Sequence, residues 1–201
     1  MLKVGLTGGL ACGKSYVGEV LAGWGCHLLQ ADDLGHSVLA RGGEAYASVV
    51  LEFGDGILDG NGEIDRRALA ARVFGNQERL AVLNGLVHPP VMRREEEWLA
   101  QVASTDPHGI AVVEAAILIE TGSYKRFDRI ILVACDEEQQ VQRAIKRDGA
   151  ARDDALARIR RQMPLEDKRR YADFVIDTSG SKEETVRQTR AVYESLRIIG
   201  T

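Results

Sequence analysis

The residue pattern with the clearest chemical meaning is GGLACGKS, which begins at Gly8 and follows a short apolar run. It fits the pattern G-x-x-x-x-G-K-[ST] of a phosphate-binding loop, or P-loop, at every fixed position. Gly8 and Gly13 allow backbone torsions that a Cβ atom would forbid, so consecutive N–H groups can point at phosphate oxygens. Lys14 would place its charge on the β- and γ-phosphates, and the Ser15 hydroxyl would bind Mg²⁺. The pattern predicts a nucleoside-triphosphate site.

The predicted contacts with ATP extend from this loop into the helix that follows it, because the N-terminus of a helix attracts anions. Cys12 within the loop has two interpretations: an oxidation-sensitive thiol, or a small neutral side chain at a variable position. The predicted ATP-binding residues are Gly8, Gly9, Ala11, Cys12, Gly13, Lys14, Ser15, Tyr16 and Arg143.

Carboxylates follow two of the predicted strands, at the edge where a parallel sheet carries its reactive crevice. Asp32 comes after the second strand and could accept a proton from an attacking hydroxyl, but a helix N-cap would explain it equally well. Glu114 ends the third strand and could bind Mg²⁺ through water; ordinary solvation of a strand end is the alternative. His36 lies one helical turn past Asp32 and could share its face, although a surface or packed histidine is the commoner outcome.

The segment 146–171 is densely basic, and its arginines are candidate phosphate clamps together with Arg143. Arg143 and Arg147 are four residues apart and therefore lie on one helical face. Arg147 would stabilise the charge that develops on the γ-phosphate during transfer. A solvated helix with ion pairs between neighbouring turns is the alternative. The excess of arginine over lysine favours a lid, because arginine suits bidentate contact with phosphate.

Composition limits the class of protein. A chain of 201 residues predicts one core domain with insertions, and a hydrophobic content of 45% supports a sizeable core. The net charge of −4 argues against nucleic-acid binding. No apolar run approaches the roughly 18 residues of a membrane helix, and the N-terminus lacks the pattern of a signal peptide. The three cysteines are scattered, as in a protein of the reducing cytoplasm. We expect a cytoplasmic monomer or small homo-oligomer without a membrane or nucleic-acid partner.

Short apolar runs alternate with helical patterns along the chain, which predicts a parallel sheet with helices on both faces. The predicted strands are 4–7, 26–30, 110–113, 130–134 and 174–176. The stretch 33–104 holds only helical patterns and is too long for a simple crossover, so it predicts an inserted helical subdomain. Within it, His88-Pro89-Pro90 is interpreted first as the end of a helix, because proline removes a backbone donor.

Taken in order, these features resemble the dephospho-coenzyme A kinase family over nearly the whole chain. The family's motifs are its P-loop, an Asp-Ala-Asp signature, a His-Pro motif, an Asp-x-Pro-Leu-Leu-x-Glu segment, a lid and a closing strand with an adenine-side loop. The matching residues are, in that order, 4–15, 31–32, 86–89, 114–120, 147–149 with 158–164, and 173–180. Gln30, Ala116 and Thr178 stand where the family has Asp, Pro and often Asn.

The resemblance implies a kinase that uses ATP and Mg²⁺ to phosphorylate the ribose 3′-hydroxyl of dephospho-coenzyme A, the last step of coenzyme A biosynthesis. It implies an α/β P-loop kinase fold of three layers with a five-stranded parallel sheet. One kinase domain (1–201) would contain a helical acceptor insert (33–104) and a lid (146–171). Asp32 would be the catalytic base, assisted by Lys14 and Arg147. The predicted substrate-binding residues are Asp32, His36, His88, Glu114 and Glu120.

The alternative function is a P-loop kinase for another small acceptor, such as a nucleoside monophosphate. Such an enzyme would share the P-loop and the lid, but it would not need the combination of Asp32 with His88-Pro89. A nucleotide-dependent switch protein is a third class. It predicts a guanine-reading Asn-Lys-x-Asp stretch, which this chain does not contain.

Overall fold

The computed structural model describes residues 1–149 and 151–200. They form two compact units. The core unit comprises Met1–Gln30 and the chain from Leu99 onward, and the helical unit comprises Ala31–Trp98. Residue 150 of the predicted lid and residue 201 lie outside the described residues.

The core unit is built on a five-stranded sheet with the strand order β2-β3-β1-β4-β5, in which every neighbouring pair is parallel. At the centre, Leu6 of β1 pairs with Glu114 of β3 on one side and with Ile131 of β4 on the other. This sheet confirms the predicted α/β fold class. The strands are β1 (Leu2–Gly8), β2 (His27–Gln30), β3 (Ile110–Glu114), β4 (Arg129–Ala134) and β5 (Phe174–Asp177).

The helices of the described residues lie between and after the strands, and several of them lie in the stretch 33–104, where the sequence predicts helices. They are α1 (Lys14–Gly23), α2 (Ala31–Leu39), α3 (Tyr46–Phe53), α4 (Arg66–Val73), α5 (Gln77–Thr105), α6 (Glu137–Asp148), α7 (Arg152–Arg160), α8 (Leu165–Arg169) and α9 (Lys182–Ile199). Short 3₁₀ turns occur at Asp55–Ile57 and Ser123–Arg126. No helix within this part of the chain is both long and apolar enough to cross a membrane.

The sheet of the core unit is covered on both faces, as a central parallel strand requires. Leu6 of β1 packs in one cluster with Leu21 of α1 and Leu196 of α9. On the opposite face, a Cβ at Gly5 would meet the side chains of Leu118 and Ile130. Burial on both faces explains why the sequence of β1 is a nearly continuous apolar run.

The helical unit has a hydrophobic core of its own. Val38 of α2, Val49 and Phe53 of α3 and Leu69 of α4 are buried together, and α5 adds partly buried residues such as Leu86. Asp65 is the N-cap residue of α4. Its carboxylate accepts hydrogen bonds from the N–H groups of the first turn. The unit is therefore a packed bundle of helices.

The long helix α5 corrects one interpretation of the sequence. It has 29 residues and continues through Pro89 and Pro90, so His88-Pro89-Pro90 does not end a helix. Val87 and Val91 on either side of the prolines pack against the core of the helical unit. Tertiary packing of this kind outweighs the local cost of a proline, which removes one intrahelical hydrogen bond.

Candidate active site

The P-loop connects β1 to α1, and its glycines are required for two different reasons. Gly13 has φ 85°, in the left-handed region, and directly precedes the first residue of α1. A Cβ on Gly8 would collide with the carbonyl oxygen of Val133 in β4. The torsion argument from the sequence therefore applies to Gly13, whereas Gly8 is needed for close approach of two strands.

Lys14 and Ser15 open α1, at the carboxyl edge of the sheet. The Lys14 Nζ donates a hydrogen bond to the Gly9 carbonyl at 3.1 Å, so the ammonium lies across the loop. The Ser15 hydroxyl donates to Glu114 Oε1 at 2.8 Å. Glu114 is the last residue of β3 and is only 7% exposed. The fold thus joins two residues that the sequence indicated separately as candidate partners of a metal ion.

The Ser15–Glu114 pair has the donor chemistry of a magnesium site, since Mg²⁺ prefers hard oxygen ligands and keeps several waters. No cluster of three or more His, Cys, Asp and Glu residues suited to a metal occurs in residues 1–149 and 151–200. An ion at this position would therefore take its remaining ligands from phosphate oxygens and water, as in other P-loop enzymes. The residues present fit Mg²⁺ that arrives with a nucleotide.

Thr178, the residue that follows β5, is hydrogen-bonded to the backbone of the P-loop. Thr178 Oγ1 donates to the Cys12 carbonyl at 2.7 Å. Arg143 of α6 in turn donates to the Thr178 carbonyl at 2.7 Å and to Thr178 Oγ1 at 3.0 Å. Arg143 is thereby fixed next to the loop, and its predicted contact with ATP remains a prediction.

Cys12 points away from solvent and contacts Cys135, with the two sulfur atoms 3.5 Å apart. The hydrogen bond from the Cys135 thiol and the charge of Lys14 lower the pKa of Cys12, against the opposing effect of burial. The Cys12 side chain therefore packs beneath the loop, and only its backbone could contact a phosphate.

The basic segment, residues 146–171, contains several ion pairs. Arg147 forms a bidentate pair with Asp148, at 2.6 and 3.0 Å, and Arg158 binds the same carboxylate at 2.6 Å. Hydrogen bonds from these two guanidinium groups hold the pKa of the Asp148 carboxyl well below its usual range. The guanidinium of Arg147 is thus paired with a carboxylate of the same segment. Its catalytic role remains a prediction.

Glu120 lies in the loop after β3 and contacts the same segment. Its Oε1 is 2.8 Å from Lys168 Nζ and accepts the Met163 N–H at 3.1 Å. The carboxylate therefore ties the start of α8 to this loop. Its predicted contact with substrate is a prediction that these bonds do not address.

The helical unit carries the remaining candidates. α2 begins at Ala31, so Asp32 lies within the first turn rather than at the cap, which corrects the N-cap alternative. Asp32 is exposed. The His36 Nε2 lies 2.8 Å from Arg66 NH1 and, facing a guanidinium donor, acts as acceptor. His88 is on α5, and burial lowers the pKa of its imidazole. Roles of these residues in catalysis or acceptor binding remain predictions.

Comparison with known proteins decides the family. The family model described as dephospho-CoA kinase matches residues 2–184. The chain belongs to the dephospho-CoA kinase family. The dephospho-CoA kinase of Aquifex aeolicus is 43% identical over 196 residues, which is 98% of each chain. The resemblance proposed from the sequence is therefore confirmed.

Comparison with solved structures supports the fold. The Thermus thermophilus protein TT1252 has a TM-score of 0.82 and 35% identity, with 97% of each chain covered. The dephospho-CoA kinase of Campylobacter jejuni has a TM-score of 0.73 over 99% of this chain and 98% of its own. At 24% identity the latter comparison supports the fold alone. As a member of the family, the chain is a kinase that phosphorylates an alcohol group.

Two contacts of the P-loop could not be recognised from the sequence. One is the bond from Thr178 to Cys12, and the other is the bond from the Leu10 N–H to Gln162 Oε1 at 2.8 Å. Thr178 directly follows β5, so its place at the carboxyl edge of a strand was a usable signal. Gln162 follows α7, and nothing in its spacing relates it to residue 10.

Proposed function

We propose that this kinase transfers the γ-phosphoryl group of ATP to the ribose 3′-hydroxyl of dephospho-coenzyme A, giving coenzyme A and ADP, with the residues named below. The contact of Ser15 with Glu114 carries the proposal, because it places a hydroxyl and a carboxylate at the mouth of a P-loop. Both are oxygen ligands suited to the metal ion of a phosphoryl transfer. The family match over residues 2–184 supports the choice of acceptor.

The donor half of the site lies in the core unit. The amides from Ala11 to Ser15 would surround the phosphates, and the Lys14 ammonium would leave the Gly9 carbonyl for the β- and γ-phosphate oxygens. Ser15 and Glu114 would hold Mg²⁺, which when bound neutralises charge on the β- and γ-phosphates.

The acceptor half would come from Asp32 and the helical insert, residues 33–104. Asp32 lies two residues past the end of β2, and its exposed carboxylate is available to a ligand. It would orient the ribose hydroxyl and accept its proton as the new bond forms. His36 lies four residues further along α2, on the same helical face, and would contact the same nucleotide.

The lid, residues 146–171, would close over ATP and exclude water, which limits wasteful hydrolysis. In the structure, the Arg147 guanidinium forms an ion pair with Asp148. We propose that Arg147 exchanges this carboxylate for phosphate oxygens on closure, where it stabilises the developing charge. The three cysteines are free thiols, which supports the cytoplasm as the place of action.

The decisive experiment measures ADP release by purified protein with ATP and Mg²⁺. We expect turnover on addition of dephospho-coenzyme A and none on addition of nucleoside monophosphates. Lys14→Ala should abolish turnover, while Lys3→Ala, at an exposed position of β1, is the matched control. Turnover with a nucleoside monophosphate alone would favour the alternative acceptor class and overturn the proposal.

A further inference from the structure

Lys168 of α8 is a charged side chain with no solvent exposure, 0%. Burying an ammonium is costly unless it is paired and hydrogen-bonded. Its Nζ lies 2.8 Å from Glu120 Oε1 and donates to the Ala116 carbonyl at 2.9 Å. None of the roles proposed above explains why a lysine is buried at this position.

The Ala116 carbonyl belongs to the turn that directly follows Glu114. A second donor, Thr7 Oγ1 of β1, reaches the same carbonyl at 3.3 Å. The Ala115 N–H donates to the Leu6 carbonyl at 3.0 Å. The turn is therefore fixed from two sides, by β1 and by the ammonium of Lys168.

This turn determines where the Glu114 carboxylate lies. Only Ala115 separates Glu114 from the carbonyl that Lys168 holds, so movement of that carbonyl would shift the end of β3. A displaced Glu114 would lose its 2.8 Å contact with Ser15. The path from Lys168 to the P-loop thus runs through one peptide carbonyl and one carboxylate.

The segment that carries Lys168 also contacts the P-loop directly. Gln162, six residues before Lys168, accepts the Leu10 N–H at 2.8 Å. Met163 donates its N–H to Glu120, the ion-pair partner of Lys168. The stretch from Gln162 to Lys168 therefore binds both parts of the phosphate site, the P-loop and the turn after Glu114.

We propose that Lys168 is a positioning residue for the metal site: it holds the Ala116 carbonyl and thereby sets the Glu114 carboxylate against Ser15. This inference rests on the proposed function, in which Ser15 and Glu114 hold Mg²⁺. A purely structural lysine would stabilise α8 and have no specific effect on metal-dependent binding. The two roles therefore differ in one measurable quantity, the gain in nucleotide affinity that Mg²⁺ provides.

The test is isothermal titration calorimetry of ADP, with Mg²⁺ and with EDTA, on wild type, Lys168→Met and Lys168→Arg. Loss of an outer-shell partner commonly weakens a metal site by about 10–100-fold, and the indirect path here predicts the lower end, about 10-fold. We expect Lys168→Met to lose about 10-fold of the Mg²⁺-dependent gain, while affinity in EDTA stays within about twofold. Lys168→Arg should recover part of the loss, and Lys3→Met is the matched control.

A double-mutant cycle tests the route through Glu114. Glu114→Gln alone should reduce the Mg²⁺-dependent gain, and adding Lys168→Met to it should cause no further loss, because coupled residues are non-additive. Full additivity, or a Lys168→Met protein that responds to Mg²⁺ like Lys3→Met, would overturn the positioning role. Should Lys168→Met fail to fold, Lys168→Arg decides, since a guanidinium cannot occupy the position of the ammonium between Glu120 and the Ala116 carbonyl without a shift. An Mg²⁺ response of Lys168→Arg equal to that of Lys3→Met then overturns the inference.

Failure of the proposed function gives a different result. If wild-type protein binds ADP equally well with Mg²⁺ and with EDTA, the assignment of Ser15 and Glu114 to the metal is itself wrong. If wild type responds to Mg²⁺ and phosphorylates dephospho-coenzyme A while Lys168→Met responds normally, only the role of Lys168 is lost.

Discussion

The hydroxyl of Thr178 donates a hydrogen bond to the carbonyl of Cys12 at 2.7 Å, joining the end of β5 to the middle of the P-loop. The two residues are separated by most of the chain, yet both are buried. Arg143 binds the same threonine through two further hydrogen bonds. A loop that must present its amides to phosphate is in this way fixed through the carbonyl of one of its own residues.

The first prediction concerns this support. Thr178→Val removes the donor to Cys12 and leaves a buried carbonyl unsatisfied, which costs about 1–3 kcal/mol of unfolding free energy. We also expect the KM for ATP to rise, because the loop is less well held. Urea unfolding and steady-state kinetics measure the two effects. Thr178→Ser retains the hydroxyl and should behave like wild type; equal loss in both variants would contradict the role of the hydrogen bond.

The second prediction concerns Asp32. Asp32→Asn should retain affinity for ATP and lose about 10²–10⁴-fold in kcat, because an amide can orient a hydroxyl but cannot accept its proton. The matched control is Asp33→Asn, since Asp33 is exposed in the same first turn of α2. A kcat for Asp32→Asn close to that of the control would leave Asp32 without a catalytic role.

The third prediction concerns Arg147. Arg147→Ala should lower kcat by about 10³-fold if its guanidinium stabilises the transferring phosphoryl group. Because its present partner, Asp148, is exchanged only on closure, the unfolding free energy should change little. Arg187→Ala on α9, which removes another exposed ion pair, is the control for nonspecific charge effects. Comparable kinetics of the two variants would count against the proposal.

The fourth prediction concerns the pH dependence of stability. Burial lowers the pKa of His88 below its unfolded value of about 6.5. The unfolded chain therefore binds a proton at His88 more readily than the folded protein does. The stability that comes from burying neutral His88 is complete above about pH 6.5, and it is lost as pH falls through the folded-state pKa. Urea unfolding between about pH 5 and 7.5 should show a shallower pH slope for His88→Gln than for wild type. His108→Gln, at an exposed position, is the control. Identical slopes for wild type and His88→Gln would contradict this origin of the pH dependence.

The parts of the fold that local sequence determines could be predicted. The inner strands β1, β3 and β4 are short, largely buried apolar runs, and the P-loop is a contiguous pattern, so these features can be recognised without tertiary information. The same holds for the helix that Ser181 caps through its hydrogen bond from the Glu184 N–H.

The parts that depend on distant packing could not be predicted. The partners Ser15 and Glu114 are 99 residues apart, and only the parallel register of β1 with β3 brings them together. Lys168 lies in a run of charged residues that looks solvated, yet it is fully buried. Pro89 and Pro90 favour the end of a helix locally, but α5 continues through them because residues on both sides pack against the core of the helical unit.

The central position of β1 has a consequence for how the protein is made. β1 begins at residue 2, but its neighbours β3 and β4 begin at residues 110 and 129, and β5 begins at residue 174. On a ribosome, the strand that leads into the P-loop is therefore synthesised long before the neighbouring strands with which it pairs. Such non-local pairing is slow and leaves apolar segments uncovered meanwhile. The helical unit, with contiguous residues and its own core, can fold during this interval, so the nucleotide site is expected to mature last.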